Sequence, residues 1–97
     1  MPNPVKEQTL SVKYLTIANT EYSVALPSST RELRFRCRTL YDVRYAWVTG
    51  KVATSVDPFS TVSAGMEYKS DEKDLTGKIL YLASSQAGVV VEVSIGT

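Results

Sequence analysis

The chain has no histidine, a single cysteine, two phenylalanines and no apolar run of membrane-spanning length. Each scarcity removes a class of function. Without imidazole there is no histidine general base, no imidazole zinc site and no Ser/His or Cys/His nucleophile system, which takes away the machinery of most hydrolases. One cysteine, Cys37, cannot close an intrachain disulfide, and its core-facing parity marks it as a small buried apolar group. Excess charge is lacking too. Eleven Lys and Arg against ten Asp and Glu leave a formal net charge of +1, too small for bulk attraction to nucleic acid or acidic membrane. Any anion site must therefore be local. The start, Met1-Pro2-Asn3-Pro4-Val5-Lys6-Glu7-Gln8, lacks the apolar stretch of a signal peptide, so synthesis and retention in the cytosol are expected.

What is present describes one small β domain. Ninety-seven residues, 43% hydrophobic and 22% charged, have a globular composition. A chain of this size buries about 65% of its unfolded surface, enough for one modest core. Residues Met1 to Gln8, with two prolines, read as an extended arm, and residues 9–97 as a single domain. The stretch from Glu32 to Thr49 organises the remainder. Leu33, Phe35 and Cys37 alternate with Arg34, Arg36 and Arg38, and Val43, Tyr45 and Trp47 alternate with Arg44, Ala46 and Val48, at the period of two that half-buried strands require. A turn at Thr39-Leu40-Tyr41 would make a hairpin pairing Leu33 with Trp47, Phe35 with Tyr45 and Cys37 with Val43. That register also sets Arg36 opposite Arg44, an unfavourable like-charge pair. It then needs a carboxylate such as Glu92 or Glu21, or an outside anion, while Asp42 could answer Arg38.

Further strands are expected over Leu10 to Ile17, with a bulge near Tyr14, and over Glu21 to Leu26, ended by Pro27. Lys51 to Val56 reads as a weak strand or loop, Phe59 to Val62 as a short strand and Met66 to Tyr68 as its resumption. Lys69 to Asp74 reads as a solvated charged tip. A last hairpin, Lys78 to Ser84 against Val89 to Ile95, would set Leu80 opposite Val93, Leu82 opposite Val91 and Tyr81 opposite Glu92. Its second face, with Ile79, Tyr81, Ala83 and Val90, is too apolar to face water, so a second layer or another subunit should cover it. No helical periodicity is sustained. The fold class is all-β, a small antiparallel β-sandwich of about seven strands, jelly-roll or immunoglobulin-like, with a partly open barrel as the further option.

No residue pattern names a reaction. Asp71-Glu72-Lys73-Asp74 lacks the spacing of a calcium loop, and Gly50-Lys51 and Gly77-Lys78 lack the helix of a phosphate-binding loop. Neither cofactor nor metal is expected. The candidate partner-binding residues are Arg34, Arg36, Arg38 and Arg44, for acidic protein surface, and Ile79, Tyr81 and Val90, for self-association. Single-stranded nucleic acid is the weaker use of the arginines, because Phe35, Tyr45 and Trp47 fall on the opposite face, away from any stacking platform. A carbohydrate site would need exposed Tyr41, Tyr68 or Trp47.

Four segments carry a resemblance: Asp42-Val43-Arg44-Tyr45-Ala46, Thr61-Val62-Ser63-Ala64-Gly65-Met66-Glu67-Tyr68, Leu75-Thr76-Gly77-Lys78-Ile79-Leu80-Tyr81-Leu82-Ala83-Ser84, and Gly88-Val89-Val90-Val91-Glu92-Val93. In this order and spacing the chain resembles small all-β virion structural proteins of tailed bacteriophages. The resemblance implies a non-enzymatic protein that decorates or cements the capsid, with a tail, head-fibre or adaptor role as the competitor. The implied partners are major capsid protein or other virion proteins and further copies of the chain, and the implied location is the virion after synthesis in the host cytoplasm. The ending Ser94-Ile95-Gly96-Thr97 departs from the aromatic finish of that pattern.

Overall fold

A computed structural model describes residues 8–26, 30–70, 75 and 77–96. Within them lie eight strands: β1 (Gln8–Leu15), β2 (Tyr22–Ala25), β3 (Glu32–Cys37), β4 (Val43–Ala46), β5 (Ser60–Val62), β6 (Glu67–Ser70), β7 (Ile79–Ala83) and β8 (Val89–Gly96). They form two four-stranded sheets, in the orders β1-β8-β3-β6 and β2-β7-β4-β5, and every pairing is antiparallel. The pairs β1/β8, β2/β7, β3/β6 and β4/β5 nest inside one another, as if one long hairpin had been bent at the 47–59 connection and rolled up. Rolling then adds the β8/β3 and β7/β4 ladders. This is the eight-stranded jelly-roll order, so the sandwich expectation holds in its jelly-roll form, with eight strands among the described residues rather than about seven.

The strands fall where the alternation places them, but two pairings expected from sequence do not form. β3 and β4 lie in opposite sheets. Leu33, Phe35 and Cys37 instead pair with Ile95, Val93 and Val91 of β8. Phe35 still meets Tyr45, but across the sandwich, with ring centroids 5.4 Å apart and planes at 76°. Tyr68 completes the group, stacked on Phe35 at 4.9 Å and edge-on to Tyr45 at 4.9 Å. β7 and β8 separate in the same way: Leu80 lies opposite Val24 and Leu82 opposite Tyr22, while Val91 and Val93 lie between β1 and β3. The parity survives because a period of two fixes which face a residue takes, whatever strand comes beside it.

The core is the space between the sheets. Leu33, Phe35 and Cys37 from β3, Val89, Val91, Val93 and Ile95 from β8, and Leu80 and Leu82 from β7 are all buried there. A smaller cluster lies outside the second sheet, where Val52 packs on Ala46 and Ala83 with Phe59 and Tyr81 around it. The 47–59 connection is thus the layer that covers the apolar outer face of β7, and residues 51–55 form turns rather than a strand. Arg44 fastens it: Nε donates to the Val52 carbonyl at 2.7 Å, and one terminal nitrogen donates to Asn19 Oδ1 at 2.8 Å.

No bulge interrupts β1, whose register with β8 runs unbroken from Gln8 opposite Gly96 to Leu15 opposite Val89. Leu15 is the residue that turns into the core, so Leu10, Val12 and Tyr14 of opposite parity face out. Their strand begins at Gln8, the last residue of the expected arm; residues 1–7, like Pro27, residues 71–74 and Thr76, lie outside the described residues.

The 38–41 turn is tied down at several points. Arg38 N–H donates to the Val90 carbonyl at 2.7 Å, Val90 N–H to Thr39 Oγ1 at 3.3 Å, and Tyr41 N–H to Cys37 Sγ at 3.3 Å. Within it Leu40 takes φ of 59°, a left-handed conformation that costs an L side chain roughly 1–2 kcal/mol. Its side chain is exposed and packs on little, so Leu40→Gly is expected to raise the unfolding free energy by about 0.5–1 kcal/mol in urea titration. Phe35→Ala, which empties the aromatic group, should lower it by about 3–5 kcal/mol.

Candidate protein-docking face

The outer face of the first sheet can be read as three rows across four strands. Val12 of β1, Glu92 of β8, Arg36 of β3 and Glu67 of β6 share one row; Leu10, Ser94, Arg34 and Lys69 share the next. Tyr14 and Val90 begin a third, which Arg38 closes from the turn. The side chains therefore sort into columns by strand, because alternate residues of each strand share a face. An apolar column on β1 stands at one side, an arginine column on β3 two strands away, and Glu92 between them. Over this surface runs an open groove of about 480 Å3 lined by Leu10, Val12, Arg34, Arg36, Glu92 and Ser94 among others.

Glu92 pairs with the arginine column. Arg36 Nε donates to its Oε1 at 2.8 Å, and Arg38 donates to its Oε2 from Nε at 3.0 Å and from a terminal nitrogen at 2.9 Å. The expected repulsion between Arg36 and Arg44 does not arise, since Arg36 stands opposite Glu92 and Glu67 instead. Glu92, named from sequence as an answer to that pair, answers Arg36 and Arg38. Glu21 holds Thr49 Oγ1 at 2.6 Å and the Gly50 N–H at 2.8 Å, and Asp42 accepts the Ala64 N–H at 2.7 Å, so neither meets an arginine of the stripe. Arg34 differs from its neighbours: its Nε is buried without a hydrogen-bond partner. A buried guanidinium nitrogen left unpaired is costly, so the half-buried Arg34 side chain gains by turning to meet a carboxylate supplied from outside.

The seven candidate residues fall into two places. Arg34, Arg36, Arg38 and Val90 belong to this face. Arg44, Ile79 and Tyr81 lie on the outer side of the second sheet, where Arg44 is occupied with the 47–59 connection, Tyr81 packs on its cluster and Ile79 is exposed. Sequence reasoning missed Leu10, Val12 and Tyr14, which are 79%, 38% and 61% exposed. The signal is the phase break at Leu15, which marks one apolar set on each face of the strand rather than the bulge expected near Tyr14. Of the aromatics that a sugar site would use, Tyr68 lies in the aromatic group and Trp47 is half-buried against the core; Tyr41 alone of the three is exposed.

No protein-family model matches the chain, and no curated protein matches it either. Among solved structures it is similar to a de novo designed double-stranded β-helix determined by NMR in solution. That likeness has a TM-score of 0.55 and 11% identity, and covers 94% of this chain and 99% of the design. At this identity it shows the fold alone, and the double-stranded β-helix is the winding described above.

Hydrogen bonds from Arg36, and then from Arg38, hold the Glu92 carboxyl below the usual carboxylate range. A lowered folded-state value means that the stabilisation is complete above the ordinary range and is lost as pH falls through the lowered one. The stability difference between the wild type and Glu92→Gln, followed by denaturation from pH 7 downward, should therefore close in acid. A difference that stays constant with pH would show that the Glu92 charge contributes nothing.

Proposed function

We propose that this protein is a non-enzymatic structural component of a bacteriophage particle, decorating or cementing the capsid, and that it docks through the outer face of its first sheet. The observation that carries the reading is the pairing of an exposed apolar column with an arginine column in which Arg34 keeps an unpartnered Nε. Apolar anchors beside a cation that gains from a carboxylate are the ingredients of a protein interface with an acidic partner. The order of the four sequence segments resembling phage virion proteins supports the same conclusion, as does a jelly roll, an architecture that viral capsid domains use repeatedly. Nucleic acid fits less well. Phe35, Tyr45 and Tyr68 pack on one another inside the sandwich, which leaves Tyr14 as the one aromatic that the described strands present on the arginine face.

The reading is tested by mass spectrometry of purified phage particles, and by rebinding of purified protein to particles stripped of it. The protein should be present in many copies, and Arg34→Glu should weaken rebinding by at least about tenfold. Absence from particles would overturn the proposal. So would a salt-sensitive affinity for single-stranded DNA that the same variant abolishes, since that result assigns the arginines to phosphate.

A further inference from the structure

Among the described residues the long strand β1 is an edge of the first sheet, and its register with β8 shows which of its main-chain groups point away from the sheet. Val90 of β8 directs both its carbonyl and its N–H toward the 38–39 turn that follows β3. Main-chain groups alternate sides along a strand, so Val89, Val91, Val93 and Ile95 are the β8 residues that bond to β1. Their partners are Leu15, Lys13, Ser11 and Thr9. Leu10, Val12 and Tyr14 consequently point their N–H and C=O groups off the edge of the sheet. The same three residues carry the exposed apolar side chains.

An apolar edge with free main-chain groups invites another strand. The other edges offer less. β6 has four residues, among them Glu67 and Lys69; β2 has four and β5 three, against eight in β1.

We propose that β1 pairs antiparallel with β1 of a second copy about a twofold axis through Val12. In that register Val12 faces the second copy's Val12, and Leu10 faces its Tyr14. All three pairs then exchange main-chain hydrogen bonds, because all six residues are edge-facing. The side-chain row on the outer face is apolar on both sides. On the inner face Lys13 lies opposite the second copy's Ser11, so no like charges are directly opposed, which is the electrostatic condition for such pairing. A twofold contact uses one patch twice, and Leu10, Val12 and Tyr14 are symmetric about Val12 in exposure and polarity.

The seam joins two sheets into one and sets two arginine columns on the same face, five strand spacings or roughly 24 Å apart, with the joined apolar columns between them. One strand's width buries less than the roughly 800 Å2 per partner of a standard interface, so the dimer forms in a concentration-dependent way. This rests on the proposed function only in giving the dimer a purpose, that of a two-site clamp on a lattice.

The test is sedimentation equilibrium of the whole chain over a wide concentration range, with two variants, joined by oxidative cross-linking of two cysteine variants. The wild type should pass from monomer to dimer. Val12→Pro removes an N–H that faces the edge and no bond to β8, so it should stay monomeric with the circular dichroism of the wild type. Tyr14→Lys, at an exposed position, should do the same. Val12→Cys should form a disulfide-linked dimer on mild oxidation, because hydrogen-bonded antiparallel partners have Cα atoms about 5.5 Å apart, within disulfide reach. Leu10→Cys should not, since the two copies of that residue would lie roughly 13 Å apart. A wild type that stays monomeric, a dimer that survives both Val12→Pro and Tyr14→Lys, or equal cross-linking through Leu10→Cys would overturn the seam. A monomer that is nevertheless found in phage particles overturns the seam alone; a dimer with this register that is absent from particles overturns the proposed function alone.

Discussion

The ladder between β3 and β8 is the contact on which the structure depends. It sets Leu33, Phe35 and Cys37 beside Ile95, Val93 and Val91, and so builds the middle of one wall of the core. On its other face the same ladder puts Arg36 directly against Glu92, with Arg38 one step along the strand. A slip of one residue would exchange the two faces, burying three arginines and exposing Phe35. Core and charged surface are thus held in register by one set of main-chain bonds. Burial of the apolar row supplies the larger share of the free energy, since ion pairs on an exposed face contribute little by themselves.

The consequences reach beyond those two strands. Because β8 is held by β3 on one side, only its other side is left for β1, and β1 becomes an edge. Because β3 is held by β8 and β6, β4 must pair elsewhere, and the chain crosses to the second sheet at the 38–41 turn. That crossing explains why the turn is unusually tied down, with Cys37 Sγ accepting the Tyr41 N–H and Leu40 held at positive φ. The outer face of the second sheet, left apolar at Ala46 and Ala83, is closed by Val52 and Phe59 of the chain's own long connection.

How far this was legible in the sequence depends on what alternation can encode. The pattern from Leu33 to Cys37 fixes a strand and the direction of its arginines, and both stand. It does not say which strand comes beside it, because any apolar row could satisfy the inward face equally well. Proximity in sequence favoured β4, whereas rolling of the nested hairpin brought β8. Of the six strand pairings, β4 with β5 is the one that joins sequence neighbours among the described strands. Glu92 could be named as an arginine partner because carboxylates at strand positions are few. The alternation of Leu10, Val12 and Tyr14 marks a strand without saying which of its faces is buried, and Leu15, one residue out of phase, is the group that goes inside.

These points meet in the claim that β3 belongs beside β8 and not in a local hairpin with β4. The Arg38 to Val90 bond makes Phe35 and Val93 a pair that shares no main-chain bond, the arrangement in which antiparallel Cα atoms approach to about 4.5 Å. Proton NMR in solution reads this directly. A strong cross-peak between the α protons of Phe35 and Val93 is the expected result, whereas a cross-peak between the α protons of Phe35 and Tyr45 would contradict the account.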